Sequence, residues 1–121
     1  MSRAFNRIIA KFGDTVTVKP RFETVDDQGS PVYTYPEDEW FTTKALIYDK
    51  SGLSFEWLVI GVPEEVDYIA CFYSSLKGSL EPGDLVVFSD GTETEIINVL
   101  NRGLGPRTDF IEVLLKKWEG P

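Results

Sequence analysis

The sequence predicts a mainly β fold: a small antiparallel β-barrel or sandwich preceded by one short α-helix. Three observations carry this expectation. Only residues 2–12 space their apolar side chains as a helix does. From Thr15 onward, apolar and polar residues alternate in short runs. Turn chemistry separates those runs at Asp26–Pro31, at Glu81–Asp84 and at the pair Asp90-Gly91. The chain of 121 residues suits a single domain, 1–121, because chains divide only well beyond about 200 residues.

Residues 2–12 form the helix. Phe5, Ile8, Ile9 and Phe12 follow the i, i+3, i+4, i+7 spacing of one apolar stripe, while Arg3, Arg7 and Lys11 recur every four residues on a different face. Gly13 supplies a stop. A helix this short is marginal alone, so it must dock on its own barrel or on a neighbour.

The barrel is expected over residues 15–117. Thr15–Lys19 is a strand with Val16 and Val18 on one face, and Pro20 marks its edge or end. Phe22–Val25 is compatible with a continuation of that strand. Asp26–Pro31 is a turn of nearly pure breaker chemistry, and Val32–Tyr35 returns as a hairpin arm. Pro36–Glu39 reads as a solvated acidic loop, and Trp40–Tyr48 as a strand with Ala45 and Ile47 on one face. Phe55–Ile60 is strongly apolar but too short for periodicity to separate strand from helix. Asp67–Ser74 alternates with apolar residues on both sides, which predicts a central strand. Leu85–Phe88 and Glu93–Val99 flank Asp90-Gly91, a strong hairpin signal. After a longer loop over Asn101–Arg107 comes the last strand, Phe110–Lys116, and Trp118 ends the pattern.

Composition removes much enzymology. The chain has no histidine and one cysteine, Cys71. That excludes an internal disulfide framework, a thiolate- or imidazole-based zinc site, and the Ser-His-Asp and Cys-His nucleophile systems. No catalytic, metal-binding or cofactor-binding residue is expected. The acidic runs Asp26-Asp27, Glu37-Asp38-Glu39 and Glu64-Glu65-x-Asp67 do not match the loop that wraps calcium, and they read as solvated. Gly103-Leu104-Gly105 leads to a strand and lacks the Gly-Lys-Ser/Thr ending of a phosphate loop. The longest apolar stretch is far short of the roughly 20 residues of a membrane span, and the first seven residues lack the apolar region of a secretory signal. The expectation is an intracellular product with no membrane association, its cysteine reduced and buried.

A net charge of −8 argues against general nucleic-acid binding, which needs clustered Lys and Arg. The charge is unevenly spread. Residues 1–21 carry +4 and the remaining hundred carry −12. This asymmetry suggests charge-complementary contact between copies or with an acidic partner. Candidate interface residues are therefore Arg3, Arg7 and Lys11 on the helix, and Arg102 and Arg107 around the late loop. Phe55, Trp57, Leu58 and Ile60 join them, in a segment more apolar than a soluble loop should be. Trp40 and Trp118 are assigned to the core.

The order of these features resembles the head–tail joining proteins of tailed bacteriophages, also called head closure or stopper proteins. The residues carrying the likeness are a strand into Asp27-x-Gly29, Trp40 before the strand bearing Ala45, Ser51-Gly52, the strand Asp67–Tyr73, and Pro82-Gly83-Asp84-x-Val86 followed by Asp90-Gly91-x-x-x-Glu95-Ile96-x-x-Val99. They span about residues 15–117, and the basic N-terminal helix departs from the family pattern. The resemblance implies a non-enzymatic β-barrel subunit, assembled as a ring beneath the portal or its adaptor. Such a ring completes the DNA-filled head, retains the genome and offers the tail protein a docking surface. It implies residence in the virion neck, with the host cytoplasm as the site of assembly, and contact with DNA only as the retained or passing genome. It also implies that residues 49–67 reorder or pack on neighbours during assembly. Another neck component, such as a tail terminator or adaptor, is the alternative reading. A small nucleic-acid-binding β-barrel is a more distant one.

Overall fold

The computed structural model describes residues 2–49, 66–103 and 107–120, with side chains from Ala4 onward. Among the described residues one helix, α1 (Ser2–Phe12), precedes eight strands: β1 (Asp14–Lys19), β2 (Phe22–Val25), β3 (Pro31–Thr34), β4 (Phe41–Asp49), β5 (Tyr68–Tyr73), β6 (Leu85–Val87), β7 (Glu93–Arg102) and β8 (Phe110–Lys117). Six of them close into an antiparallel barrel in the order β1-β4-β5-β8-β7-β6, which decides barrel over sandwich. The other two, β2 and β3, form a separate two-stranded ribbon. Phe22–Val25 is thus not a continuation of β1. Pro20 removes a ladder donor and frees the chain to leave the barrel, and Phe22–Val25 pairs with Pro31–Thr34 instead.

Alternation builds the interior. Val16 and Val18 of β1, Ala45 of β4, Ala70 and Phe72 of β5, Ile96 of β7, and Ile111, Val113 and Leu115 of β8 fill one core, and Phe88 meets Tyr68 edge-on at 5.1 Å. The outer face of β5 and β8 is also buried: Ile69 and Leu114 cluster with Val66, and Tyr48, Ile97 and Leu100 pack against them. β5 lies between β4 and β8 and is buried on both faces, as its two apolar sides require.

One irregularity sets the outer face. The pairing of β7 with β8 shifts between Ile96 and Asn98, so Ile97 has no opposite residue. Beyond this bulge the side-chain parity of β7 reverses. Val99 turns inward against the main core, and Leu100 joins the outer cluster. Arg102 is carried to the outer side, where Glu112 lies.

α1 is held at the start of β1. Ile9 is fully buried, Phe5 stacks flat on Phe110 with ring centroids 3.9 Å apart, and Lys44 Nζ donates to Ala10 O at 3.1 Å. A Cβ at Gly13 would collide with the carbonyls of Ile9 and Ala45, so glycine permits the close approach of helix to barrel. The predicted apolar stripe is divided. Phe5 and Ile9 face the barrel, while Ile8 and Phe12 face solvent, Phe12 at 67 % exposure.

Candidate functional site

Among the described residues the β2–β3 ribbon forms an arm in which every residue of both strands is exposed. Cross-strand register places Phe22, Thr24, Val32 and Thr34 on one face, and Glu23, Val25, Pro31 and Tyr33 on the other. Both faces therefore carry large apolar side chains that remain exposed. Val25 is 70 % exposed and Tyr33 48 %.

An isolated two-stranded hairpin is marginal in water. This one is fixed at both ends. At its tip, Asp26 Oδ1 accepts from the backbone N–H of Gln28 and of Ser30, each at 2.9 Å, and Gly29 takes the positive φ of +81° that the turn requires. At its root, the Arg21 backbone N–H donates to Asp84 Oδ1 at 2.9 Å, and the Glu81 N–H donates to Oδ2 of the same carboxylate at 3.0 Å. Asp84 is buried, and desolvation raises its pKa above the ordinary aspartate value. The Arg21 guanidinium lies 4.2 Å from the Tyr33 ring centre and packs against Gly83, whose φ of +98° and missing Cβ leave it room. The Pro82-Gly83-Asp84 motif is thus the bracket that joins arm to barrel.

Aromatic side chains form a collar beside that root. Trp40 Nε1 donates to Tyr35 O at 2.9 Å, Lys19 Nζ sits 4.1 Å from the Trp40 ring centre, and Tyr35 meets Trp118 edge-on at 6.0 Å. Trp40 and Trp118 are half-buried here, not core. The Trp40 indole N–H needs a polar partner, and the rim supplies one in the Tyr35 carbonyl. Next to Trp118 an open depression of about 510 Å³ is lined by side chains of both charges, among them Asp67, Glu95 and Lys116.

Burial keeps two side chains, Cys71 and Tyr48, in their protonated forms. Cys71 is buried, and burial pushes its thiol up to about 11. Tyr48 donates its hydroxyl to Glu112 Oε2 at 3.2 Å, lies 3.6 Å from Cys71 Sγ, and has its pKa raised well above 10.0 by burial. Among the described residues no three His, Cys, Asp or Glu side chains converge as metal ligands, and no helix is long and apolar enough to cross a membrane.

The residues singled out from sequence fall into three groups. Arg3, Arg7 and Lys11 lie on α1, with Arg7 and Lys11 exposed. Arg102 and Arg107 are engaged within the chain: Arg102 Nε lies 3.8 Å from Glu112 Oε1, and Arg107 Nε lies 3.0 Å from Asp109 Oδ1. Phe55, Trp57, Leu58 and Ile60, the heart of the expected assembly segment 49–67, lie outside the described residues. Sequence reasoning missed the arm as a surface. Its signal was present, because Phe22 and Val32 fall on one side of the hairpin and Val25 and Tyr33 on the other, which a one-sided core cannot bury. No protein-family model and no curated protein matches the chain.

Proposed function

We propose that this chain is a non-enzymatic structural subunit of the head–tail connector of a tailed phage, a head closure or stopper protein that forms a ring under the portal or its adaptor. The observation that carries the reading is a closed barrel bearing a stiffened arm with apolar side chains on both faces. A protein that works alone gains nothing from ordering such an arm, whereas a ring subunit completes its packing on its neighbours. The order of sequence features around the Pro82-Gly83-Asp84 bracket supports the phage assignment, and the acidic body suits a channel along which DNA must pass without sticking. In this role the protein resides in the virion neck, contacts the portal or adaptor on one side and the tail on the other, and meets DNA only as the genome. Electron microscopy of the purified protein mixed with candidate portal complexes tests this. A ring at the portal's distal face is expected. A stable two-fold dimer that engages no portal complex would overturn the reading.

A further inference from the structure

The exposed face of α1 and the β2–β3 arm are complementary in chemistry. α1 carries three basic residues and no acid, and the helical positions of Arg7 and Lys11 adjoin those of the exposed Ile8 and Phe12. Lys11 Nζ sits 5.3 Å from the Phe12 ring centre, so cation and apolar ring form one patch. From Phe22 to Thr34 the arm carries three acids, Glu23, Asp26 and Asp27, and no base, beside the exposed Phe22, Val25 and Tyr33. Helix stability does not account for the basic face: Arg3 and Arg7 load the N-terminal half, where the helix dipole favours acids. α1 leads into β1 and the arm leaves its other end, so one copy can present both surfaces at once.

The geometry points to a head-to-tail contact in which the β2–β3 arm of one copy packs on the α1 face of a second copy, apolar on apolar with Glu23, Asp26 and Asp27 against Arg7 and Lys11. Two different patches on one chain can meet reciprocally in a two-fold pair or repeat head to tail into a ring or an open row, and the head-to-tail repeat is the contact proposed here. The inference rests on the reading of the chain as a self-assembling subunit, and it is independent of the virion in which the ring would sit. Exposed ion pairs are individually weak and screened by salt, so free copies should associate only at high concentration and low ionic strength.

Disulfide trapping tests it. Cys71 is buried, so single cysteines placed at Val25→Cys and Phe12→Cys are the reactive ones. Mixed at high concentration under mild oxidation, the two full-length variants should give the mixed dimer at least about tenfold faster than either homodimer, and salt should suppress the difference. Reversing charge on the Phe12→Cys chain by Arg7→Glu and Lys11→Glu should slow trapping about tenfold, and Asp26→Lys with Asp27→Lys on the Val25→Cys chain should restore it. Statistical mixing, or homodimers that outpace the mixed dimer, would overturn the contact. So would a mixed dimer indifferent to charge reversal, or α1 engaging free duplex DNA in place of a second copy. A ring seen on a portal without this cross-link sinks the arm–helix contact and leaves the connector reading standing. The cross-link without any ring on a portal does the opposite.

Discussion

Replacing Asp84 by alanine removes the bracket between arm and barrel, and its effect can be worked from the geometry. Two backbone donors, on Arg21 and Glu81, lose their acceptor at 2.9 and 3.0 Å. A hydrogen bond to a charged group contributes about 1.5–3 kcal/mol, and both donors are only partly buried, so the lower end applies to each. Against this stands the relief of a carboxylate held away from water. The net expectation for Asp84→Ala is a loss of about 2–3 kcal/mol, or about 8–12 °C in melting temperature for a domain of this size. Asp84→Asn keeps the shape and one acceptor oxygen, and should lose about half as much. Urea denaturation followed by tryptophan fluorescence measures both. The pH dependence gives a second readout. Burial raises the folded-state pKa of Asp84 above its ordinary 3.8, so the native state keeps its proton to higher pH than the unfolded chain does. The stability advantage of wild type over Asp84→Asn should therefore be smallest at neutral pH. It should widen as pH falls through the folded pKa and be complete below 3.8. An Asp84→Ala protein within about 0.5 kcal/mol of wild type would refute the bracket, since surface changes alone stay in that range. An advantage that shrinks on acidification would show that the two N–H donors, not desolvation, govern the carboxyl.

Tyr48→Phe keeps the ring packed on the outer cluster but removes one hydrogen-bond donor to Glu112, and should cost about 1–2 kcal/mol in the same assay. Cys71 should resist alkylation in the folded protein and react at the rate of unfolding, as native-state labelling with and without urea will show. Because its folded pKa is raised from 9.0 to about 11, stability should fall as pH rises between those values, and a Cys71→Ala protein should lose less there. The whole protein should not bind free duplex DNA tightly at physiological salt; a tight complex with a steep salt dependence in a fluorescence titration would revive the nucleic-acid reading.

The parts of the fold legible in the sequence are those where one physical rule acts alone. Val16 and Val18, or Ala70 and Phe72, alternate without interruption, and their inward direction follows from the pleat. Asp90-Gly91 forms its turn wherever it is placed, with Thr92 N–H donating to Asp90 Oδ1 at 2.9 Å and Gly91 at a φ of +92°. Reading fails where a side chain obeys two demands. Trp40 is large enough for a core but carries an N–H that draws it to the rim. β7 looks like one regular strand, and nothing in Ile96-Ile97-Asn98 marks the extra residue that reverses its parity. Arg102 could be foreseen as charged but not as a partner of Glu112, since that meeting depends on the bulge. As for the interface, the basic stripe of α1 was legible from its period. The arm was not, because Phe22–Val25 satisfies the rules for a barrel strand until Pro20 is given its full weight.

Closure of the barrel restricts how copies of this protein can go wrong. Each of the six barrel strands has a partner on both sides, so none offers a bare row of N–H and C=O groups along its full length. Among the described residues only β2 and β3 have a single partner strand. Misassembly by strand addition therefore finds its fullest edge at the arm, the same element that recognition between correct partners would use. The sequence guards it there: Pro31 removes one donor from β3, and Glu23, Asp26 and Asp27 set like charge against like when two arms meet edge to edge. Amyloid-type stacking of arms is thus discouraged by the acids that would make a basic surface welcome.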